Sequence, residues 1–524
     1  MKKLFLFVST ILLVGSAFSQ KAPLNWYLKH PEKDKVFGVG ATEAYKLLQN
    51  KKPKEVIVAV IDSGVETDHP DLKDVIWINS DEIPANGIDD DKNGYIDDIH
   101  GWSFLGGKEL DISNEAMEIA RMYQKESKYF QGKDASSIEE SDKARYEKYL
   151  KIKNDYNKEQ GQLLAQYKGV EYASKYIANV KKQQGEFTKV TNKKYVTSDE
   201  IELKIQKNLK RAFLFVSPSL IEDQVAGGES QIGGLIRSNT MNADSLRQVI
   251  VGDDVNSLTE RNYGCNRYEG PDAMHGTHVS GIIAATNGNN QGIDGIAKHA
   301  KIMVLRAVPN GDERDKDIAN AIYYAVDNGA KIINMSFGKY YTPSKEILDE
   351  AILYAKSKDV LFVHAAGNDA KDKNVEDSYP TRILNDGTIA SNWLEVGASS
   401  VSKKSTKLIA DFSNYGSKTV DLFAPGVDIY STVPDGKYED ASGTSMASPV
   451  AAGVAAIIRG YFPELTAEQV RDVLMKTVST TTKKIVIPGR QKDKSSGLMK
   501  DVSISGGFIN AEKAVTYLLS KENK

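Results

Sequence analysis

The sequence predicts an α/β fold: a doubly wound, mostly parallel sheet with helices on both faces, interrupted by a largely helical insertion. Three observations predict it. Short, continuous apolar runs rich in β-branched residues recur at 56–61, 302–305, 332–335, 360–363 and 420–423, as in strands buried on both faces. Stripes at helical spacing lie between them, one of Ile318, Ala321, Ile322, Ala325 and Val326, another of Ile347, Ala351, Ile352 and Ala355. Between about Gly106 and Asn262 the strand signals fade and Lys, Glu, Gln and Tyr take over.

The elements follow in chain order. Lys2 and Lys3 precede the apolar run 4–14 and the small residues Gly15, Ser16, Ala17 and Ser19, the layout of an export signal over 1–19 cut before Gln20. That run is too short to span a bilayer, so no stable membrane anchor is expected, and the protein should be periplasmic or secreted. Residues 20–105 open the α/β domain, 106–262 form the insertion, 263–515 complete the domain, and 516–524 are a tail. In the insertion, Ile201, Ile205, Leu209 and Phe213 recur every four residues after a capping box of Thr197 and Glu200. Three or four amphipathic helices are expected there, followed by a Gly-rich stretch over 227–234. Charge-rich helices of this kind are solvated faces or a cap over a crevice.

Composition narrows the function classes. The 524 residues carry 68 basic and 71 acidic side chains, a net charge of −3, so no basic field favours nucleic acid. One cysteine, Cys265, rules out an internal disulfide and a cysteine metal cluster, and reads as a plain free thiol.

Four blocks carry chemistry. Val58-Ala-Val-Ile-Asp-Ser-Gly64 ends a buried strand on Asp62. His275-Gly-Thr-His-Val-Ser-Gly281 opens a small-residue helix on His275. Gly443-Thr-Ser-Met-Ala-Ser-Pro449 puts Ser445 at another helix start. Ala365-Ala-Gly-Asn368 offers an amide at a strand end. Serine needs an adjacent base to act as a nucleophile, histidine is such a base, and a buried carboxylate holds its tautomer. An acyl-transfer intermediate also needs donors for its oxyanion. Taken singly, each block is a common turn, packing pair or cap. Together, each at an element end, they describe one machine.

These blocks resemble the subtilisin-like serine proteases (subtilases, peptidase family S8), whose triad runs in the same order, acid, base, nucleophile. The resemblance covers about 24–105 and 263–515. It implies a subtilisin-like fold and an exported serine endopeptidase acting on peptides or proteins. Asp62 would be the orienting acid, His275 the base, Ser445 the nucleophile and Asn368 the oxyanion donor, with His278 structural. Asn334-Met-Ser-Phe-Gly338 looks like an edge strand that pairs with the substrate main chain, giving Ser336, Phe337 and Gly338 as substrate-binding residues. Gly506–Ala511 looks like the family's closing segment. Val450 departs from the pattern, standing where many members have histidine. The Asp-to-His gap, 275 − 62 = 213 residues, is several times the usual one because of the insertion. A non-catalytic binding protein on the same scaffold is the competing reading; such proteins usually lose one of these four residues.

Calcium is the expected ion, and no organic cofactor is expected. Asp89, Asp91 and Asn93 fit positions 1, 3 and 5 of a calcium loop, with Gly94 at 6, Tyr95 at 7 and Asp97 at 9, although His100 stands where an EF-hand has glutamate. By resemblance, Asp71 with the loop 287–292 is a second site. Asp312, Glu313, Asp315 and Asp317 read as a solvated acidic loop, with a preference for basic substrates as the sharper alternative.

Overall fold

The computed structural model describes residues 22–213, 216–402, 404–490 and 495–522. The expected export signal, 1–19, lies outside the described residues. The chain packs as two compact units, one of Lys21–Ser113 with Asp244–Lys524 and one of Asn114–Ala243.

In the first unit seven strands form one sheet: β1 (Val56–Asp62), β2 (Gly101–Ser103), β3 (Ala300–Arg306), β4 (Ile332–Met335), β5 (Leu361–Ala365), β6 (Trp393–Ser399) and β7 (Leu422–Pro425). Their order is β2-β3-β1-β4-β5-β6-β7, and every pairing is parallel. Successive side chains enter opposite layers. Val58 and Val60 join the core on one face, Ala59 and Ile61 the core on the other. Both layers exclude water, so the strands read as unbroken apolar runs. Two strands lack that signature. β2 is three residues long, and β6 carries Glu395 as its third residue.

The helices of this unit are α1 (Ala41–Leu47), α2 (Ala243–Ile250), α3 (Met274–Ala284), α4 (Asp315–Asp327), α5 (Lys345–Ser357), α6 (Thr444–Tyr461), α7 (Ala467–Lys476) and α8 (Ala511–Glu522). α6 is apolar nearly all round and correspondingly buried. It packs on β4 to β7 and on α3. The segment before β1 belongs to the same core: Trp26 and Tyr27 are buried, and Trp26 Nε1 donates to the Val427 and Asp428 carbonyls at 3.2 Å each. Gly507 and Phe508 of the closing segment dock on β7, the Gly507 carbonyl accepting from Phe423 N–H at 3.0 Å.

The chain returning from the insertion is held by buried ions. Arg247 on α2 meets Asp253 at 2.8 Å and Asp317 at 2.7 Å, and Lys316 meets Asp253 at 3.0 Å and Glu260 at 2.6 Å. This corrects the solvated acidic loop. Asp317 is wholly buried against Arg247, Asp315 pairs with Lys339 at 2.8 Å, and Glu313 is buried too.

The second unit is helical: Glu118–Tyr129, Lys143–Gln184, Lys189–Lys194, Glu200–Ala212 and Pro218–Thr240. Helix Lys143–Gln184 has 42 residues, with a buried stripe that includes Leu163, Val170, Tyr176 and Val180. Two expectations change here. The helix at 200 is capped by Asp199, whose carboxylate accepts from Ile201 N–H and Glu202 N–H, rather than by Thr197. Thr197 instead accepts from Asp199 N–H. The Gly-rich stretch is helical, within Pro218–Thr240, because its glycines let this helix approach Val170 and Tyr167 of the long helix. No helix among the described residues is long and apolar enough to cross a membrane.

Candidate active site

Parallel strands put their carboxyl ends along one rim, where ligands bind in such sheets. Asp62 ends β1 there, is 2% exposed, and its Oδ1 accepts from Ser63 N–H at 2.7 Å. The same oxygen accepts from His275 Nδ1–H at 2.7 Å. α3 brings His275 in by close approach at Gly276, where a Cβ would stand 2.1 Å from the Gly64 carbonyl oxygen. Burial pushes the His275 imidazole down, but the charge of Asp62 and its hydrogen bond prevail, so its pKa lies above the ordinary 6.5. His278, one turn on, lacks such a partner, and burial holds it down at about 4.

Ser445 sits in the first turn of α6. Pro449, four residues on, has no N–H to donate to the Ser445 carbonyl, so that carbonyl accepts from Ser336 Oγ–H at 3.0 Å. Ser445 Oγ–H in turn donates to the Ser336 carbonyl at 2.9 Å, and not to His275. Asn368 is oriented by the same helix end. Its Oδ1 accepts from Thr444 N–H and Thr444 Oγ–H, each at 2.9 Å, and its Nδ2 and the Ser445 nitrogen flank one point, 3.5 and 3.6 Å from where a Cβ on Gly443 would stand. Gly367, at φ 103° in the left-handed region, turns the chain before it and leaves room for Asn414, whose Nδ2 lies 2.4 Å from where a Cβ would be.

Asn368, Ser445, Ser336, Gly338 and His364 line one cavity of about 250 Å³. The edge-strand expectation needs correcting. β4 is an interior strand between β1 and β5, and only Ser336–Gly338 run on past its register. Lys339 then bridges to Tyr379.

The structure also redraws the candidate ion loop. Asp89 caps the turn, accepting from Asn93 N–H and Gly94 N–H, and Asp97 accepts from Asn86 N–H and Gly87 N–H. Asn93 places its amide NH₂ on Asp91 and Asp98, and the Tyr95 ring is buried among Trp102, Phe104 and Tyr324. The carboxylates that converge are Asp91, Glu82 and Asp98, with one oxygen of each within 4.8 Å of the others. Burial raises the Asp98 pKa against hydrogen bonds from Tyr324, Asn93 and Asn79. Sequence spacing missed Glu82, which comes from before the loop. At Asp71 the loop supplies donors instead: Asn289 Nδ2 and Ile293 N–H, joined by Tyr438 O–H, all meet its carboxylate. Cys265 is a free, partly buried thiol, and burial pushes it up.

The Subtilase family model matches residues 53–498. A thermophilic serine proteinase from Bacillus sp. (strain AK1) is 43% identical over 187 residues, 35% of this chain and 42% of its own length. Thermitase of Thermoactinomyces vulgaris is 37% identical over 244 residues, 46% of this chain and 75% of its own. The major intracellular serine protease of Bacillus subtilis (strain 168) is 40% identical over 195 residues, 36% of this chain and 56% of its own. The match thus spans well under two thirds of the first and third of these relatives.

Proposed function

The chain belongs to the subtilase family, and we propose that it is an exported serine endopeptidase that hydrolyses peptide bonds through an acyl-enzyme on Ser445. The observation that carries this reading is the 2.7 Å hydrogen bond from His275 to buried Asp62, in a chain that also sets Ser445 and an oriented Asn368 on one cavity.

In this mechanism an extended peptide lies along Ser336–Gly338. Ser445 Oγ leaves the Ser336 carbonyl and attacks the scissile carbonyl as His275 Nε2 takes its proton. Asp62 keeps the other ring nitrogen protonated and stabilises the imidazolium. The oxyanion is received by the Asn368 NH₂ and by Ser445 N–H, one of the donors a helix start leaves without an intrahelical partner. His275 then protonates the leaving amine, and water clears the ester by the same steps reversed.

Calcium belongs to this proposal as a structural ion. Glu82, Asp91 and Asp98 would hold it, because converging hard oxygens suit that cation. Export rests on the residues of 1–19.

The test is hydrolysis of a denatured protein substrate by the purified full chain and two variants. Ser445→Ala abolishes turnover while leaving the folded state intact, and Asn368→Ala lowers it roughly 10²–10³-fold, the loss measured for the equivalent donor in subtilisin. Hydrolysis by Ser445→Ala at the wild-type rate would overturn the proposal.

A further inference from the structure

The wall of the substrate cavity has a support that the proposed chemistry does not use. His364 on β5 and Glu395 on β6 are register partners. Both side chains are buried, at 1% and 5% exposure. His364 Nδ1 lies 2.9 Å from Glu395 Oε2, and His364 Nε2 lies 2.9 Å from the Phe337 carbonyl oxygen. A peptide carbonyl only accepts hydrogen bonds, so Nε2 carries hydrogen. Glu395 is met by Lys373 at its Oε1 and by Trp393 Nε1–H at its Oε2, 2.8 Å away. With the Lys373 ammonium on one oxygen and an indole N–H on the other, this buried carboxyl is held as a carboxylate, which only accepts. Both hydrogen bonds then require hydrogen on both ring nitrogens.

We infer that His364 is a positioning residue for the substrate cavity: a doubly protonated ring clamped between Glu395 and the Phe337 carbonyl, holding the Ser336–Gly338 wall in place. The groups facing the ring are few. They are the Phe337 carbonyl from beyond β4, Glu395 and the Trp393 ring from β6, and, through Glu395, Lys373. His364 thus turns the buried charge of Glu395 into a fixed position for main chain on which a peptide would lie. The inference rests on the peptidase reading of this cavity. It assigns His364 no contact with the reacting atoms.

Two measurements on the full chain test it. The first compares wild type with His364→Gln on peptides that differ in the side chain before the cut. A glutamine amide can serve only one of the two acceptors well. KM rises about tenfold for side chains that fill the cavity, the scale of one charge-assisted hydrogen bond, while kcat stays within about threefold; an unchanged KM across the series overturns the inference. The second is ¹⁵N NMR of histidine-labelled Ser445→Ala protein, which cannot digest itself, with His364 assigned by the signals lost in Ser445→Ala/His364→Gln. Hydrogen on both ring nitrogens of His364 supports the clamp, and a neutral ring rejects it. If the glutamine variant fails to fold, Lys373→Met with NMR assignment through the Phe337 region replaces it, and an unmoved Phe337 signal rejects the clamp. A wild type that cuts no peptide removes the peptidase reading, while the NMR result still decides the state of the ring.

Discussion

In the α/β unit, Arg247, Asp253 and Asp317 have no exposed side-chain surface, and Arg247 bridges the two carboxylates. Along helix Lys143–Gln184 a pair such as Lys175–Glu171 leaves 65% and 41% of its side chains in solvent. The first arrangement works only if every partner stays in place, since a charge buried alone is costly. The second tolerates almost any rearrangement. The difference teaches where this molecule invests in geometry. Every candidate catalytic residue, and the His364–Glu395–Lys373 chain, lies in the unit whose charges are buried and matched. The helical unit has a buried ion cluster of its own, Arg121 with Glu118 at 2.6 Å and Glu115 at 3.8 Å, and otherwise rests on an apolar stripe, glycine contacts and stacked tyrosines such as Tyr123 on Tyr156, with ring centroids 4.4 Å apart.

The contrast can be broken by charge removal. Arg247→Met leaves Asp253 and Asp317 buried without their main cation. It should destabilise the α/β unit by about 3–5 kcal/mol in denaturant unfolding. Lys175→Met in the helical unit should leave the unfolding midpoint unmoved. Equal effects at the two positions would erase the distinction.

The converging carboxylates sharpen it next. Calcium should raise the melting temperature by a few degrees through mass action, a chelator should reverse this, and Asp98→Asn should blunt the response. An unchanged melting temperature with calcium would remove the ion from the account.

The smallest effect is in pH. His275 is raised by Asp62, and a general base must be neutral. Hence kcat/KM should rise with pH along a limb centred above 6.5. The stability contributed by the pair is complete below 6.5 and fades as pH climbs through the raised value. Asp62→Asn removes the charge and leaves burial, so a ¹⁵N titration of His275 should then centre below 6.5. A limb at or below 6.5 in the wild type contradicts this sign.

Much of the α/β unit was legible because its constraints are local. A strand buried on both faces must read as Val58–Ile61 does, and Asp62, His275 and Ser445 each stand at an element end beside small residues. β6 was hidden because Glu395 interrupts its apolar run, a charge made tolerable largely by His364 and Lys373, which are distant in sequence. Asp91 was legible as one carboxylate of a cluster, but its neighbours Glu82 and Asp98 were not, since they meet it only after the loop closes. Glycines at 227–234 gave no helical signal of their own, since glycine is a poor helix former; they lie within a helix that packs closely on Val170 and Tyr167, a tertiary effect invisible to propensity. Asp71 drew donors from its loop for the same reason.

The central claim is that Ser445 is an activated nucleophile. It is tested most directly by reacting the folded full chain with a fluorophosphonate probe and mapping the adduct by peptide mass spectrometry. The account predicts a single adduct on the peptide carrying Ser445, absent from Ser445→Ala. Folded, calcium-supplied protein that takes up no probe at Ser445, or a Ser445→Ala variant labelled as fully as wild type, would contradict it.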